Sequence, residues 1–595
     1  MSNRKSSLSN ILYILKLVFQ ANPFHIFIEI GIAIFARVFN VFFFIYMIKY
    51  IYTIVEKNLP FKNVVVMVTL GSLGHITLHI ISAVHNYYYV YKTEPKIFGH
   101  IYGMVIDKAA EVELKKYDEP DFYDSYTRAL EETKTRTNDV IRNISNILGN
   151  IAAAISTLLI IVSIDPYVIV FSIIPLFNMF YLGKKRNKLY YDMDMESTYH
   201  NRRTEYVKRV FYENKYAKEL KITNIKSVLL DHHQESFQKI ISITKKYLKK
   251  IIGISLIDEF IMQILVHTGA ALYITYKITV LGLIALGDYV ALLSAVNSLT
   301  YDIYSFFNNL MNFNKQSLYI ENIRSFLEYE PEIKYDSPEC IPISSFGRLE
   351  IKDVSFSYND ADKPVLQNIN IVINRGEKIA LVGHNGAGKT TLIKLITRLY
   401  QASSGAIKLN GIDINKFNKD YTKMFATVFQ DFKIFALTVA ENVLMDKVEN
   451  DDDRRSVQKA LSQADAKSLL TNAQKGVDTQ VTKEFDETGI VFSGGQQQKL
   501  ALSRVYARES QIVILDEPSS ALDPIAEREM YDRMMDVSDG KTVILISHRL
   551  ASTQSADKIF VLEEGEIIEQ GDHETLMAQG GKYCEMYLKQ AENYR

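Results

Sequence analysis

Gly383-His384-Asn385-Gly386-Ala387-Gly388-Lys389-Thr390 has the spacing G-x-x-x-x-G-K-[ST], a loop that cradles phosphate. Ile379-Ala380-Leu381-Val382 before it reads as a short buried strand, and Thr391-Leu392-Ile393-Lys394-Leu395-Ile396 after it as the start of a helix. The glycines let backbone N–H groups close around the β- and γ-phosphates. Lys389 adds a point charge, and the helix N-terminus aims its positive end at the same oxygens. The Thr390 hydroxyl is placed to ligate Mg²⁺. Alone, this loop predicts only that the chain binds a nucleoside triphosphate.

At 595 residues the chain exceeds one core, so at least two domains are expected. A net charge of −1 gives no reason to expect nucleic acid as a partner. With only 2 Cys, Cys340 and Cys584, a disulfide-rich scaffold and a cysteine metal cluster are excluded, and no N-terminal cysteine-protease domain is expected. Abundant Ile, Lys, Asn and Tyr fit an AT-rich bacterial genome. The 48% of hydrophobic residues are unevenly spread: apolar runs fill the first half, and the second reads as a soluble α/β domain.

Residues 1–22 place Leu8, Ile11, Leu12, Leu15, Val18 and Phe19 on one helix face, interrupted by Lys16 and followed by no cleavage site. This predicts an amphipathic helix on the cytoplasmic membrane surface. A span needs roughly 20 apolar residues. Six candidates follow, at about 24–51, 62–91, 143–163, 166–183, 251–275 and 278–308. The long polar connections carry the basic residues, among them Lys184-Lys185-Arg186 and Lys245-Lys246. That excess places them, with both termini, in the cytoplasm. Glu29, Arg37, His75, His79, Asp258, Glu259 and His267 are costly in a bilayer and are expected to face a bundle interior or a water-filled cavity. His75 and His79 share a face, but no third ligand is signalled, so polar lining is favoured over a metal site. Glu29 and Arg37 are too far apart to pair within one helix. Tyr117–Ser125 and Tyr216–Asn224 break the polar segments. Each reads equally as solvated loop or as a short helix docking on the domain that carries the phosphate loop. A linker at 326–348 carries Pro331, Pro338 and Pro342.

From Leu349 to about 588 strands and helices alternate. Gln511-Ile512-Val513-Ile514-Leu515-Asp516-Glu517 is an apolar strand ending in two carboxylates. Asp516 is placed to hold Mg²⁺ through water, and Glu517 to orient or deprotonate the attacking water. His548 ends another apolar strand and is placed to sense the γ-phosphate. Gln430, after Ala426-Thr427-Val428-Phe429, is placed to reach metal and water. Tyr358 is an aromatic that either stacks on adenine or packs a strand edge. Ser493-Gly494-Gly495-Gln496 opens a helix and forms a second anion site, without a lysine.

The set and order of these motifs resemble the ATP-binding cassette (ABC) family. Gly383–Thr391 matches its Walker A, Gln430 the Q-loop, Phe492–Gln496 the LSGGQ signature and Ile512–Glu517 the Walker B. Ser519–Asp523 matches the D-loop, His548 the switch histidine, and Tyr358 the A-loop aromatic. Phe492 stands where Leu is usual, and Asp486 where Gly is commoner. The six-span half is similar to the exporter-type transmembrane domain, and the two loop breaks to its coupling helices. The resemblance implies an all-α six-helix transmembrane domain at 23–325, then an α/β P-loop ATPase domain. It implies ATP and Mg²⁺ as ligands, with Ser493, Gly494, Gly495, Gln496 and Asp523 meeting ATP held by the other subunit. One cassette and six spans imply a half-transporter, favouring a homodimer with a heterodimer as alternative.

The expected activity is ATP-driven export by alternating access, in a bacterial plasma membrane, of a peptide or amphipathic small molecule. An importer or a lipid flippase of the same fold is the alternative. A non-transport ATPase sits badly with six spans, and a merely gated channel with an intact Glu517 and His548.

Overall fold

The computed structural model describes residues 6–332, 341–342, 345–358, 363–517, 540–547 and 550–592. The chain divides into two compact units. One holds Met1–Ala110 with Asp124–Tyr329, and the other Glu111–Tyr123 with Glu330–Arg595.

The first unit is built of helices. After α1 (Ser7–Ala21) come α2 (Pro23–Glu56) and α3 (Phe61–Glu111). A short α4 (Leu114–Tyr117), which belongs to the other unit, precedes α5 (Pro120–Ile164). Then follow α6 (Pro166–Tyr212), the short α7 (Ala217–Ile222), α8 (Ile225–Thr279) and α9 (Leu286–Leu327). Among the described residues five helices are long and apolar enough to cross a membrane; they lie in α2, α3, α5, α6 and α8. The sixth long helix, α9, is more polar, carrying Asp288, Asn297, Asp302, Asn308 and Asn309. It buries Ala291, Leu292, Ala295, Val296 and Leu299 in one cluster with Val41 and Ile45 of α2. The expected last span, 278–308, straddles the end of α8, a turn and α9. The apolar run Val280-Leu281-Gly282-Leu283-Ile284 continues through that turn, so hydropathy does not mark it, whereas Gly282 at φ +62° does.

Helix α1 divides the face expected of it. Ile11, Ile14, Leu17 and Val18 pack against Ile97, Ile101, Val140, Ile141 and Ile320, while Leu8, Leu12 and Phe19 point outward. Arg324 of α9 ties the helix down: its Nη1 donates to the Ser9 hydroxyl at 2.8 Å, and its guanidinium lies over the Tyr13 ring.

Several ionisable residues of the spans pair between helices, while Glu259 and His79 are exposed. Arg37 lies 4.0 Å from Asp302, Lys49 lies 2.5 Å from Asp288, and His85 lies 3.1 Å from Glu29. Asp258 is buried and accepts hydrogen bonds from Asn178, from Arg186 at 3.1 Å and from the Tyr304 hydroxyl at 2.5 Å. These pairings satisfy charge where water is scarce. His75 and His79 meet at 3.0 Å between their Nε2 atoms, and no group of three or more metal-ligating side chains occurs among the described residues. Among the described residues three π-helical turns interrupt the long helices, at His85–Val90, Met179–Gly183 and Met262–Thr268.

Among its described residues the second unit carries two sheets. A four-stranded antiparallel sheet has the order β2-β1-β4-β5, with β1 Arg348–Phe356, β2 Leu366–Asn374, β4 Ser404–Leu409 and β5 Ile412–Asp413. A six-stranded sheet has the order β10-β9-β3-β8-β7-β6. Its members are β3 Lys378–Val382, β6 Phe425–Val428, β7 Ile512–Asp516, β8 Thr542–Ile546, β9 Lys558–Glu563 and β10 Glu566–Gly571. All neighbours are parallel except β10 on β9. Strands β3, β7 and β8 are almost wholly buried, which explains their unbroken apolar runs. A helix over Lys389–Ile396, α10, seals the core with Leu392, Ile393, Leu395 and Ile396. A helical lobe has its own core, in which Val439, Val457, Leu461, Phe492 and Leu500 meet.

Arg398 is fully buried and donates to the carbonyls of Asn415 at 3.1 Å and of Phe417 at 2.6 Å, the latter a member of the core that α10 seals. Arg398→Met keeps the bulk and removes the donors, leaving two carbonyls unpaired. It is expected to destabilise the cassette by about 2–4 kcal/mol. Calorimetry checks this as a lowered cassette transition temperature.

Candidate functional site

The phosphate loop leaves β3 at its C-terminal end, in the crevice where open α/β sheets bind ligands. Gly383 has φ +154°, and a Cβ there would lie 2.2 Å from the Leu562 carbonyl oxygen. Gly388 has φ +101° and caps α10; a Cβ there would lie 2.5 Å from the Leu366 side chain. Both positions therefore demand glycine. Between them the loop turns so tightly that Ala387 N donates to His384 O at 3.2 Å.

Lys389 is buried, and its ammonium donates to the carbonyls of Gly383 at 2.8 Å and His384 at 3.0 Å. Burial pulls its pKa down, against the opposing charges of Glu517 and Asp516. Lys389 is thus held inside the loop it serves.

The loop shares a cavity of about 340 Å³ with side chains from distant parts of the chain. Asn385, Gly386, Gly388, Lys389, Thr390, Thr391, Gln430 and Glu517 line it. Parallel pairing of β6 with β7 brings Gln430 and Glu517 together, since both follow the ends of these adjacent strands. Gln430 Nε2 donates to Glu517 Oε2 at 3.0 Å. The Glu517 backbone is left-handed, at φ +48°, with its N–H donating to Ile546 O at 3.0 Å. A non-glycine residue in that region is strained, a common mark of functional positions.

Asp516 ends β7 and is fully buried. Burial pushes its carboxyl up to about 6, with the nearby Thr390 hydroxyl and Lys389 ammonium pulling the other way. Both its carboxylate oxygens are buried without a hydrogen-bond partner among the described residues. A buried carboxylate with unused oxygens, beside a threonine hydroxyl, is the donor chemistry a hard divalent cation takes.

Tyr358 stands just beyond β1. Its hydroxyl and that of Thr391 are 3.1 Å apart, and its ring meets Phe356 edge-on at 4.9 Å. Ser493 caps the helix Gly494–Ala507, α11, in a reciprocal arrangement. Its hydroxyl accepts from Gln496 N at 3.4 Å, and Gln496 Oε1 accepts from Ser493 N at 2.9 Å. Phe492 is buried in the helical lobe, so a larger side chain than leucine is accommodated. None of Phe492–Gln496 lines the phosphate-loop cavity. Within this one unit the signature stands apart from the Walker A loop. His548 and Ser519–Asp523, Asp523 included, lie outside the described residues.

Two residues near the site carried no sequence signal of their own. Tyr400 packs edge-on against both Tyr358 at 5.3 Å and Phe356 at 5.6 Å, and its hydroxyl donates to Asp118. Asp118 caps α4, inside the first polar break at Tyr117–Ser125. That break offered two readings, loop or docking helix; here Asp118 reaches the cassette within a single compact unit.

A family model described as "ABC transporter" matches residues 366–520. The chain is 32% identical over 497 residues to the subtilin transport ATP-binding protein SpaT of Bacillus subtilis, covering 82% of this chain and 79% of that one. It is 27% identical over 486 residues to the nisin transport ATP-binding protein NisT of Lactococcus lactis subsp. lactis, covering 81% and 80%. An ATP-dependent lipid A-core flippase of Vibrio cholerae is 30% identical over 357 residues, 60% of each chain. The structure of a bacterial Atm1-family ABC exporter with ATP bound superposes with a TM-score of 0.75, at 19% identity, over 98% of this chain and 97% of that one.

Proposed function

Since the chain belongs to the ABC transporter family, we propose that this multi-pass membrane ATPase exports a peptide, energised at the Lys389–Glu517 cavity. The observation that carries the reading is that cavity: phosphate loop, Gln430 and Glu517 face one space in a chain whose other half is long apolar helices. Peptide cargo is supported by the two relatives matched over most of the chain, which are named for subtilin and nisin transport. Lipid is the second reading, favoured by the flippase similarity over 60% of the chain.

The residues divide the work as follows. Loop N–H groups from His384 to Thr390 and the Lys389 ammonium take the β- and γ-phosphates. Thr391 and Tyr358 support the nucleoside end, with the Tyr358 ring offered to adenine. Glu517 accepts a proton from the attacking water, and Gln430 holds its carboxylate in place. Thr390 and Asp516 would hold Mg²⁺, with Gln430 within reach, and the ion would neutralise charge on the transferring phosphoryl group. Gly494 and Gly495 present N–H groups at the start of α11, held in place by the Ser493–Gln496 cap and directed in this reading at ATP held by a second copy of the chain. By the family resemblance, the roles of γ-phosphate sensor and inter-subunit contact fall to His548 and Asp523. Closure of two cassettes on ATP then switches the helical halves from cytoplasm-facing to outward-facing.

The test is uptake of a fluorescent cationic peptide into inside-out vesicles containing the full chain. ATP-dependent accumulation, absent with ADP, is expected. Turnover stimulated by lipid, with no peptide uptake, would replace the peptide by a lipid.

A further inference from the structure

Tyr400 is buried, and its hydroxyl donates to Asp118, an exposed residue 282 positions away in sequence. Asp118 sits at the end of α4, a short helix between α3 and α5 in the chain, yet it belongs to the compact unit of the cassette. The Tyr400 ring in turn packs edge-on on Tyr358, the ring offered to adenine. Lys394 binds the two rings together: its ammonium lies 5.7 Å from the Tyr358 centroid and 5.3 Å from that of Tyr400. Tyr358 is held on its other side by the hydroxyl contact with Thr391 on the phosphate-loop helix.

We propose that Asp118 and Tyr400 are positioning residues for the nucleotide: their hydrogen bond fixes the Tyr358 ring and links the base to the segment joining α3 and α5. The physical reason lies in Tyr400. A buried phenol must keep an acceptor. Without the Asp118 carboxylate its hydroxyl turns toward solvent, and the ring moves against Tyr358 and Lys394. Edge-to-face aromatic contacts and cation–π contacts depend on geometry, so that movement displaces the platform. Linkage makes the effect reciprocal. If the Asp118–Tyr400 bond favours the base-binding position of Tyr358, ATP binding strengthens that bond by the same factor. Occupancy of the site is thereby reported to a segment whose two neighbours in the chain are long apolar helices.

The inference rests on Tyr358 meeting adenine, and the experiment separates the two claims. KM for ATP and kcat are measured on the full chain in lipid for Tyr358→Ala, Tyr400→Phe, Asp118→Ala, Tyr400→Phe/Asp118→Ala and Tyr358→Ala/Asp118→Ala. Tyr358→Ala is expected to raise KM. Tyr400→Phe and Asp118→Ala are each expected to raise it about 3- to 10-fold, with kcat within about twofold, the scale of one hydrogen bond. Their double variant is expected to be no worse than the worse single, and Asp118→Ala to add nothing in the Tyr358→Ala background. A merely structural Asp118 would lower activity at unchanged KM, or add fully to Tyr358→Ala, and either result overturns the proposal. If Tyr358→Ala itself leaves KM unchanged, the adenine platform is wrong and the link falls with it. If Tyr358→Ala raises KM and Asp118→Ala does not, the platform stands and only the link is lost.

Discussion

Glu517→Gln is expected to bind ATP and to hydrolyse it about 10²–10⁴-fold more slowly than the unaltered chain, the range a general base supplies. The substitution is nearly isosteric. Its remaining carbonyl oxygen can still accept the 3.0 Å hydrogen bond from Gln430, so the cavity keeps its shape. What disappears is the capacity to take a proton. The backbone left-handed at φ +48° is unchanged by the swap, because glutamine has the same Cβ and the same strain. Phosphate release and equilibrium ATP binding, measured side by side in lipid, separate the two functions. Turnover within tenfold of the unaltered chain would remove Glu517 from the proton-accepting role and point to a base elsewhere.

Lys389→Ala is expected to fail at the step before. The enclosed point charge and its charge-assisted contact with phosphate are lost, and ATP affinity should fall by about two orders of magnitude or more. The structure adds a second cost. The Lys389 ammonium satisfies two loop carbonyls, of Gly383 and His384, and alanine leaves both without it. The loop's pre-set curvature is weakened along with its charge. Arginine is no rescue, since its planar fork does not fit where a point charge is enclosed by backbone. Direct ATP binding to the variant is the check. Near-normal affinity with slow turnover would move Lys389 from ground-state binding to transition-state stabilisation.

The cassette was legible because its chemistry is local in sequence. Gly383–Thr390 carries strand, turn and helix in one stretch, and each conformational demand has its own residue. The pairing of Gln430 with Glu517 was not legible: it depends on β6 lying beside β7, which no spacing in the chain reveals. The contact of Tyr400 with Asp118 was invisible for the same reason, joined across 282 residues, although the break that holds Asp118 was marked. In the helical half, apolar runs located helices but not their ends. The described helices continue well past the expected spans, as α6 does from Pro166 to Tyr212, because polar sequence continues a helix as readily as apolar. The outward and inward faces of α1 were merged into one, since Leu8 and Leu12 are as apolar as Ile11 and Ile14. The partners of Arg37 and Glu29 lay on other helices, where periodicity cannot see them.

The three π-helical turns at His85–Val90, Met179–Gly183 and Met262–Thr268 bear on how such a chain changes over descent. A turn closed from i to i+5 holds one residue more than an α-helical turn. Losing one residue there returns the turn to α geometry and leaves the flanking faces where they were. The same loss elsewhere in a long helix rotates everything beyond it by about 100° and exchanges buried for exposed positions. Each of these turns is therefore a place where the gene can lose a single codon at little structural cost. Length differences among descendants of this chain should collect there, while the straight stretches between them admit substitution only.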